Sequence, residues 1–177
     1  MKIVFVVITF ILALTFFSCS PSRDEMIGKI SKMEKDFNSL QKPDSNAVTE
    51  LLSAYHNFAS KYEKDSLAPE YLYKAAGLAV GFNRGVQAVE LYESIITTYP
   101  QYHRVPECYF MEAFAYENVI HNIGKANEYY NKFLVKYPDH ALAKDAEAAI
   151  KYLGKTPEEM IRDFERMNAD SAQVSGR

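Results

Sequence analysis

The chain has 177 residues, 48% of them hydrophobic, with 20 basic and 23 acidic side chains and a net charge of −3. That balance lacks the basic excess a phosphate-binding surface needs, so no nucleic-acid partner is expected. Two cysteines exclude a disulfide framework of the small secreted kind, and the length suits one domain with a sizeable core.

The first element is an apolar run over 3–17, broken only by Thr9 and Thr15 and preceded by Lys2. It is short for a membrane span, which takes about 20 apolar residues, and has the form of a secretory signal. It ends in Phe16, Phe17, Ser18 and Cys19, which resembles a bacterial lipobox with Phe where Leu is usual. The resemblance implies cleavage before Cys19, a diacylglycerol thioether on that residue and acylation of the new amino group. Several acyl chains hold a protein on a membrane durably. An uncleaved anchor and an ordinary signal peptide are the other readings. The boundaries that follow are 1–18 for the signal peptide, 19–22 for the lipidated cysteine and linker, 23–168 for a helical domain and 169–177 for a disordered tail. With lipid on Cys19, Cys108 has no disulfide partner, and it reads as a small buried apolar residue rather than a reactive thiol.

Everything after Cys19 reads as helix, since strand-like alternation is absent and Gly and Pro sit between periodic segments. Ser22 and Glu25 form a capping-box pattern, followed by an apolar face of Ile27, Ile30, Met33, Phe37 and Leu40. A second helix over 46–62 faces inward with Val48, Leu51, Leu52, Tyr55, Phe58 and Ala59. A third covers 68–81. The fourth, over 84–98, points Val86, Val89, Tyr92, Ile95 and Ile96 inward. Further helices are expected over 105–120, 124–136 and 141–153. Thr156, Pro157 and Glu159 mark the start of an eighth, with Met160, Ile161, Phe164 and Met167 on its apolar side and a frayed end beyond.

Three of the breaks repeat. Tyr62, Tyr99 and Tyr137 fall in one column, followed by Glu63, Pro100 and Pro138. Ala68, Val105 and Ala143 stand six residues on, then Pro69, Pro106 and Lys144, then Glu70, Glu107 and Asp145. Pro ends one helix and opens another readily. The unit is a helix pair of about 37 residues, near the tetratricopeptide period of 34. Counted from Pro69, the first helix places Leu72, Ala75, Ala76 and Ala79 at packing positions, and the second places Ala88, Tyr92 and Ile95. The next unit supplies Ala126, Tyr130, Phe133 and Pro138. Its first helix has two registers: counting from Pro106 packs Glu112, counting from Glu107 packs Glu117. One inserted residue near 121–124 accounts for the wider spacing to Ala126. The helices over 46–62 and 141–153 read as halves of degenerate repeats, and the first and last helices as caps. Small residues at crossings let helices approach to about 8–10 Å, and stacking covers the apolar face one pair leaves wet. The fold class is all-α, a solenoid of antiparallel helix pairs.

These columns resemble the tetratricopeptide repeat. Together with the lipobox and the closing 153–165 stretch, the chain resembles tetratricopeptide lipoproteins of the Bacteroidetes type. More distantly it resembles the lipoprotein of the outer-membrane β-barrel assembly machine and the Tol-Pal coordinator. The resemblance implies a non-catalytic, membrane-anchored adaptor in the cell envelope, on the periplasmic face of the outer membrane, whose partner is another envelope protein or peptide segment. A surface-exposed binding lipoprotein and a self-associating structural protein are the alternatives, and the oligomeric state is left open. Arg23, Asp24 and Glu25 behind Cys19 resemble a surface-export signal, but acids in a first helical turn suit the helix dipole.

Chemistry is sparse in the sequence. His56, His103, His121 and His140 have no ligand spacing, and no nucleophile elbow, phosphate loop or catalytic triad occurs. No enzyme activity, metal or cofactor is expected. The candidate site is instead a groove presented by the first helices of the pairs. It comprises Glu70 and Tyr73, with Gly77 and Val80, in one unit, and Glu107, Phe110, Phe114, Glu117 and Asn118 in the next. Aromatic rings edged by acids suit a segment carrying Lys or Arg.

Overall fold

A computed structural model describes the backbone of residues 21–175 and the side chains of residues 21–166. Cys19 and the expected signal peptide lie outside the described residues. The described chain is all-helical, with eight helices and no strand. It falls into two units that divide between Gln41 and Lys42.

The first unit contains α1 (Arg23–Ser39). Its capping box forms as expected: the Ser22 hydroxyl accepts from the Glu25 amide at 3.3 Å, and the Glu25 carboxylate accepts from the Ser22 amide at 2.7 Å. Ile30 is buried and Leu40, the C-cap, is exposed, so the apolar face ends one turn earlier than its periodicity suggests.

The second unit holds α2 (Ser45–Lys61), α3 (Leu67–Gly81), α4 (Gly85–Thr98), α5 (Val105–Asn118), α6 (Ile123–Lys136), α7 (Ala143–Tyr152) and α8 (Pro157–Ser175). From α2 to α7 each helix packs on the next in the chain, the packing of a helical repeat solenoid. The interhelix columns recur as expected. Tyr55, Tyr92 and Tyr130 are all buried, as are Phe58, Ile95 and Phe133. Leu72, Ala75, Ala76 and Ala79 of α3 are buried with them.

The repeat is clearest in its turns. Tyr62, Tyr99 and Tyr137 are the C-caps of α2, α4 and α6, with φ of −119°, −124° and −137° and ψ of 50°, 58° and 56°. Each donates its amide to the carbonyl four residues back at 2.8 Å. Their own carbonyls accept from Asp65, Tyr102 and His140, whose carbonyls in turn accept from Ala68, Val105 and Ala143. Three turns therefore share one hydrogen-bond pattern, and that pattern sets where each following helix begins.

The register of α5 is that counted from Pro106. Glu112 is 1% exposed, at the position that Ala75 holds in α3, while Glu117 is half-buried. The inserted residue lies in the inner turn: α3 and α4 are joined by 82–84, α5 and α6 by 119–122. Asn83 and His121 take left-handed φ of 59° and 58° at matching places. The bond that closes the turn runs from the Arg84 amide to Ala79 and from the Asn122 amide to Tyr116, one residue wider in the second case.

One expectation is corrected. Val86 is 64% exposed. It lies two residues, about 200° of helix rotation, before Ala88, whereas Ala88, Leu91, Tyr92 and Ile95 share the buried face. The apolar side of α8 is also uncovered: Met160, Ile161 and Phe164 are exposed, with Phe164 at 62%. This helix has its capping box, with the Glu159 amide donating to the Thr156 hydroxyl at 3.2 Å and the Thr156 amide to the Glu159 carboxylate at 2.8 Å. It is pinned to the preceding loop by Lys155 on Asp163 at 2.7 Å, and it continues to Ser175, through most of the stretch expected as tail.

Candidate functional site

The first-helix face carries the candidate residues on α3 and α5. Glu70, Tyr73, Glu107, Phe110, Phe114 and Glu117 are half-buried, and Asn118 is exposed. Pro69 and Pro106 stand in the first turns of the two helices, each followed by an acid, so Glu70 and Glu107 hold equivalent places.

One cluster forms around Tyr73. Its ring lies 5.9 Å from that of Tyr92 and 6.5 Å from that of Tyr102, both edge-on. The Arg104 guanidinium covers the Tyr73 ring at 4.5 Å and holds Glu107 at 3.2 Å. Burial, and then the Glu107 carboxylate, push the Tyr73 phenol up to about 12. Tyr102 and Arg104 are members the sequence reading missed. The clue lay in the turn columns. Asp65 and His140, the equivalents of Tyr102, each accept with a side chain the amide two residues on, Leu67 at 2.9 Å and Leu142 at 3.2 Å. A phenol cannot reach that amide, so the Tyr102 ring goes elsewhere. Its hydroxyl is buried beside the Glu70 carboxylate, and burial, then that carboxylate, raise it above the usual phenol range.

The second cluster is more internal. Phe110 packs edge-on against Tyr130 at 5.4 Å and Phe133 at 5.8 Å. Glu117 accepts a 2.8 Å hydrogen bond from the Tyr130 hydroxyl, so it serves the core rather than a free edge. Asn118 donates to the Phe114 carbonyl at 3.1 Å and closes its own helix. Phe114 is half-buried and has no ring contact among the described residues. The structure thus gathers Glu70, Tyr73 and Glu107 around Arg104, and separately joins Phe110 and Glu117 through Tyr130.

Cys108 is fully buried, and its thiol is pushed up to about 12 by burial and then by Glu112. A thiol so raised is a poor nucleophile at neutral pH. His103 packs its ring on Tyr102 at 4.7 Å, and His121 occupies the inner turn. Among the described residues no group of three or more His, Cys, Asp or Glu could hold a metal ion.

No protein-family model matches the chain, and no curated protein matches it. The class defined by its own geometry is an all-helical repeat array.

Proposed function

We propose that the chain is a non-catalytic tetratricopeptide-like adaptor, held in the bacterial cell envelope by lipid on Cys19, that binds a segment of another envelope protein. The observation that carries this reading is the threefold recurrence of the turn, from Tyr62, Tyr99 and Tyr137. A solenoid of this kind presents a row of first helices side by side, and here that row displays half-buried aromatics with Glu70 and Glu107 beside them. The partner of this face is a segment with Lys or Arg. An outer-membrane lipoprotein facing the periplasm, of the Bacteroidetes type, is the form that the lipobox and repeat columns favour.

Crosslinking in native membranes tests the reading. A discrete partner is expected with the wild type, lost when Phe114→Ala is combined with Glu70→Lys, and retained with Cys108→Ser. Full retention by the double variant would count against the first-helix face. Cys19→Ser is expected to release the chain from the membrane fraction; retention there would sink the anchor. Light scattering separates a monomeric adaptor from a self-associating protein.

A further inference from the structure

The side of the array between α2 and α4, over α3, is open. Two adjoining cavities of about 490 and 310 Å³ lie there and share His56, Gln87 and Leu91. Leu72 and Ala75 of α3 line their inner side. Ser94 and Thr98 stand on the α4 wall, and Glu63 and Glu90 at the edge. Volumes of this order are those of ligand sites.

The repeat supplies an internal reference for what is missing. Aligned on Tyr99 and Tyr137, residues Gln87, Leu91, Ser94 and Thr98 of α4 correspond to Lys125, Tyr129, Lys132 and Lys136 of α6. Aligned on Pro69 and Pro106, Leu72 of α3 corresponds to Tyr109 of α5. In that second frame the space is taken by rings and cations of the chain itself. Lys132 covers Tyr129 at 4.9 Å and Tyr109 at 5.4 Å, and Lys136 covers Tyr109 at 5.2 Å. Glu128 is paired with Lys125 at 2.9 Å. Its counterpart Glu90 faces Gln87 three residues earlier, and neither Glu90 nor Glu63 has an ion pair among the described residues. At Leu72, Gln87, Leu91, Ser94 and Thr98 the first frame thus lacks the rings and positive charge of the second, and the cation that does line it, Arg84, is held on α2 by Ser45 and Thr49 at 2.9–3.2 Å.

We propose that the α2–α4 groove binds a peptide segment presenting an aromatic side chain next to lysine or arginine. The guest ring lies over Leu72 and Leu91, where Tyr109 and Tyr129 lie one repeat on, and its cation meets Glu90 and Glu63. Stacking and charge act together, since a cation over a desolvated ring is attracted more strongly than one in water. The groove is a different surface from the first-helix face, so an adaptor carrying both can hold two partners.

The test is a fluorescence-polarisation titration of the full chain, in non-ionic detergent, with the fluorescein-labelled peptide Lys-Tyr-Lys-Tyr-Lys. Saturable binding is expected, weakened about tenfold or more by Leu91→Tyr with Ser94→Lys, which write the second frame into the first. Gln87→Lys, which gives Glu90 the partner that Glu128 has, sits on an exposed position and is expected to weaken binding about threefold or more at low salt. Phe114→Ala is expected to leave the affinity unchanged. A peptide with Glu in place of Lys is expected not to bind. No saturable binding up to millimolar peptide, or unchanged affinity in Gln87→Lys, would overturn the proposal. Loss of binding with Phe114→Ala alone would move the peptide to the first-helix face, overturning this inference while leaving the adaptor reading standing.

Discussion

Over α3 the groove between α2 and α4 is lined by Leu72, Ala75 and Leu91; over α5 the matching positions between α4 and α6 are Tyr109, Glu112 and Tyr129. The backbone that frames the two is repeated, with the same C-cap tyrosine, the same turn bonds and the same buried columns. Beyond the one residue inserted in the inner turn, the difference is confined to side chains beside those columns. A repeat array can therefore keep its stability in one set of positions and vary its surfaces through another. The frame over α5 is filled at a cost, because Glu112 is buried where Ala75 stands in α3 and one of its carboxylate oxygens has no partner.

The largest effects should fall on what the two frames share. Ile95→Ala and Phe133→Ala each remove a fully buried side chain at equivalent positions, and each is expected to cost about 2–5 kcal/mol in urea denaturation. A large loss at one and none at the other would break the equivalence. Gly85→Ala comes next. A methyl group there would meet Ile120 at 2.6 Å and Val119 at 2.9 Å, in the wider inner turn of the α5 frame. Overpacking of this kind is expected to lower stability by about 1–3 kcal/mol. The smallest effect is at the caps: Thr156→Ala should cost about 1 kcal/mol or less and fray α8 without touching either groove, as read by hydrogen exchange along the chain.

Much of this comparison was legible in the residues. The Tyr and Pro columns announce the turns, because a helix that must stop and restart at one geometry reuses the few residues that allow it. The buried columns follow from a spacing of three and four. The residues leave the register of α5 open, since Glu112 and Glu117 are equally poor core residues on paper; only the turn geometry decides between them. Val86 misled because apolarity alone does not fix a helix face at its first turn. Tyr73 and Phe110 were placed on the correct helices, but their ring partners Tyr92, Tyr102, Tyr130 and Phe133 come from other helices and turns. No local spacing encodes those contacts. The open groove is hidden for the same reason: it is a difference in volume between residues about 38 apart.

The central claim is that α5 repeats α3 in the register that buries Glu112, and the stability–pH profile tests it most directly. Burial raises the Glu112 carboxyl to about 8, with Lys132 opposing and Glu93 adding to the shift. Between about 4.5 and 8 the folded chain holds a proton that the unfolded chain releases, so stability from this group falls as pH rises through that window and is level above it. Against wild type, Glu112→Gln should be more stable above pH 5, with a gap that widens to on the order of 2–4 kcal/mol by pH 8. A constant difference between wild type and Glu112→Gln from pH 4 to pH 9 would contradict it.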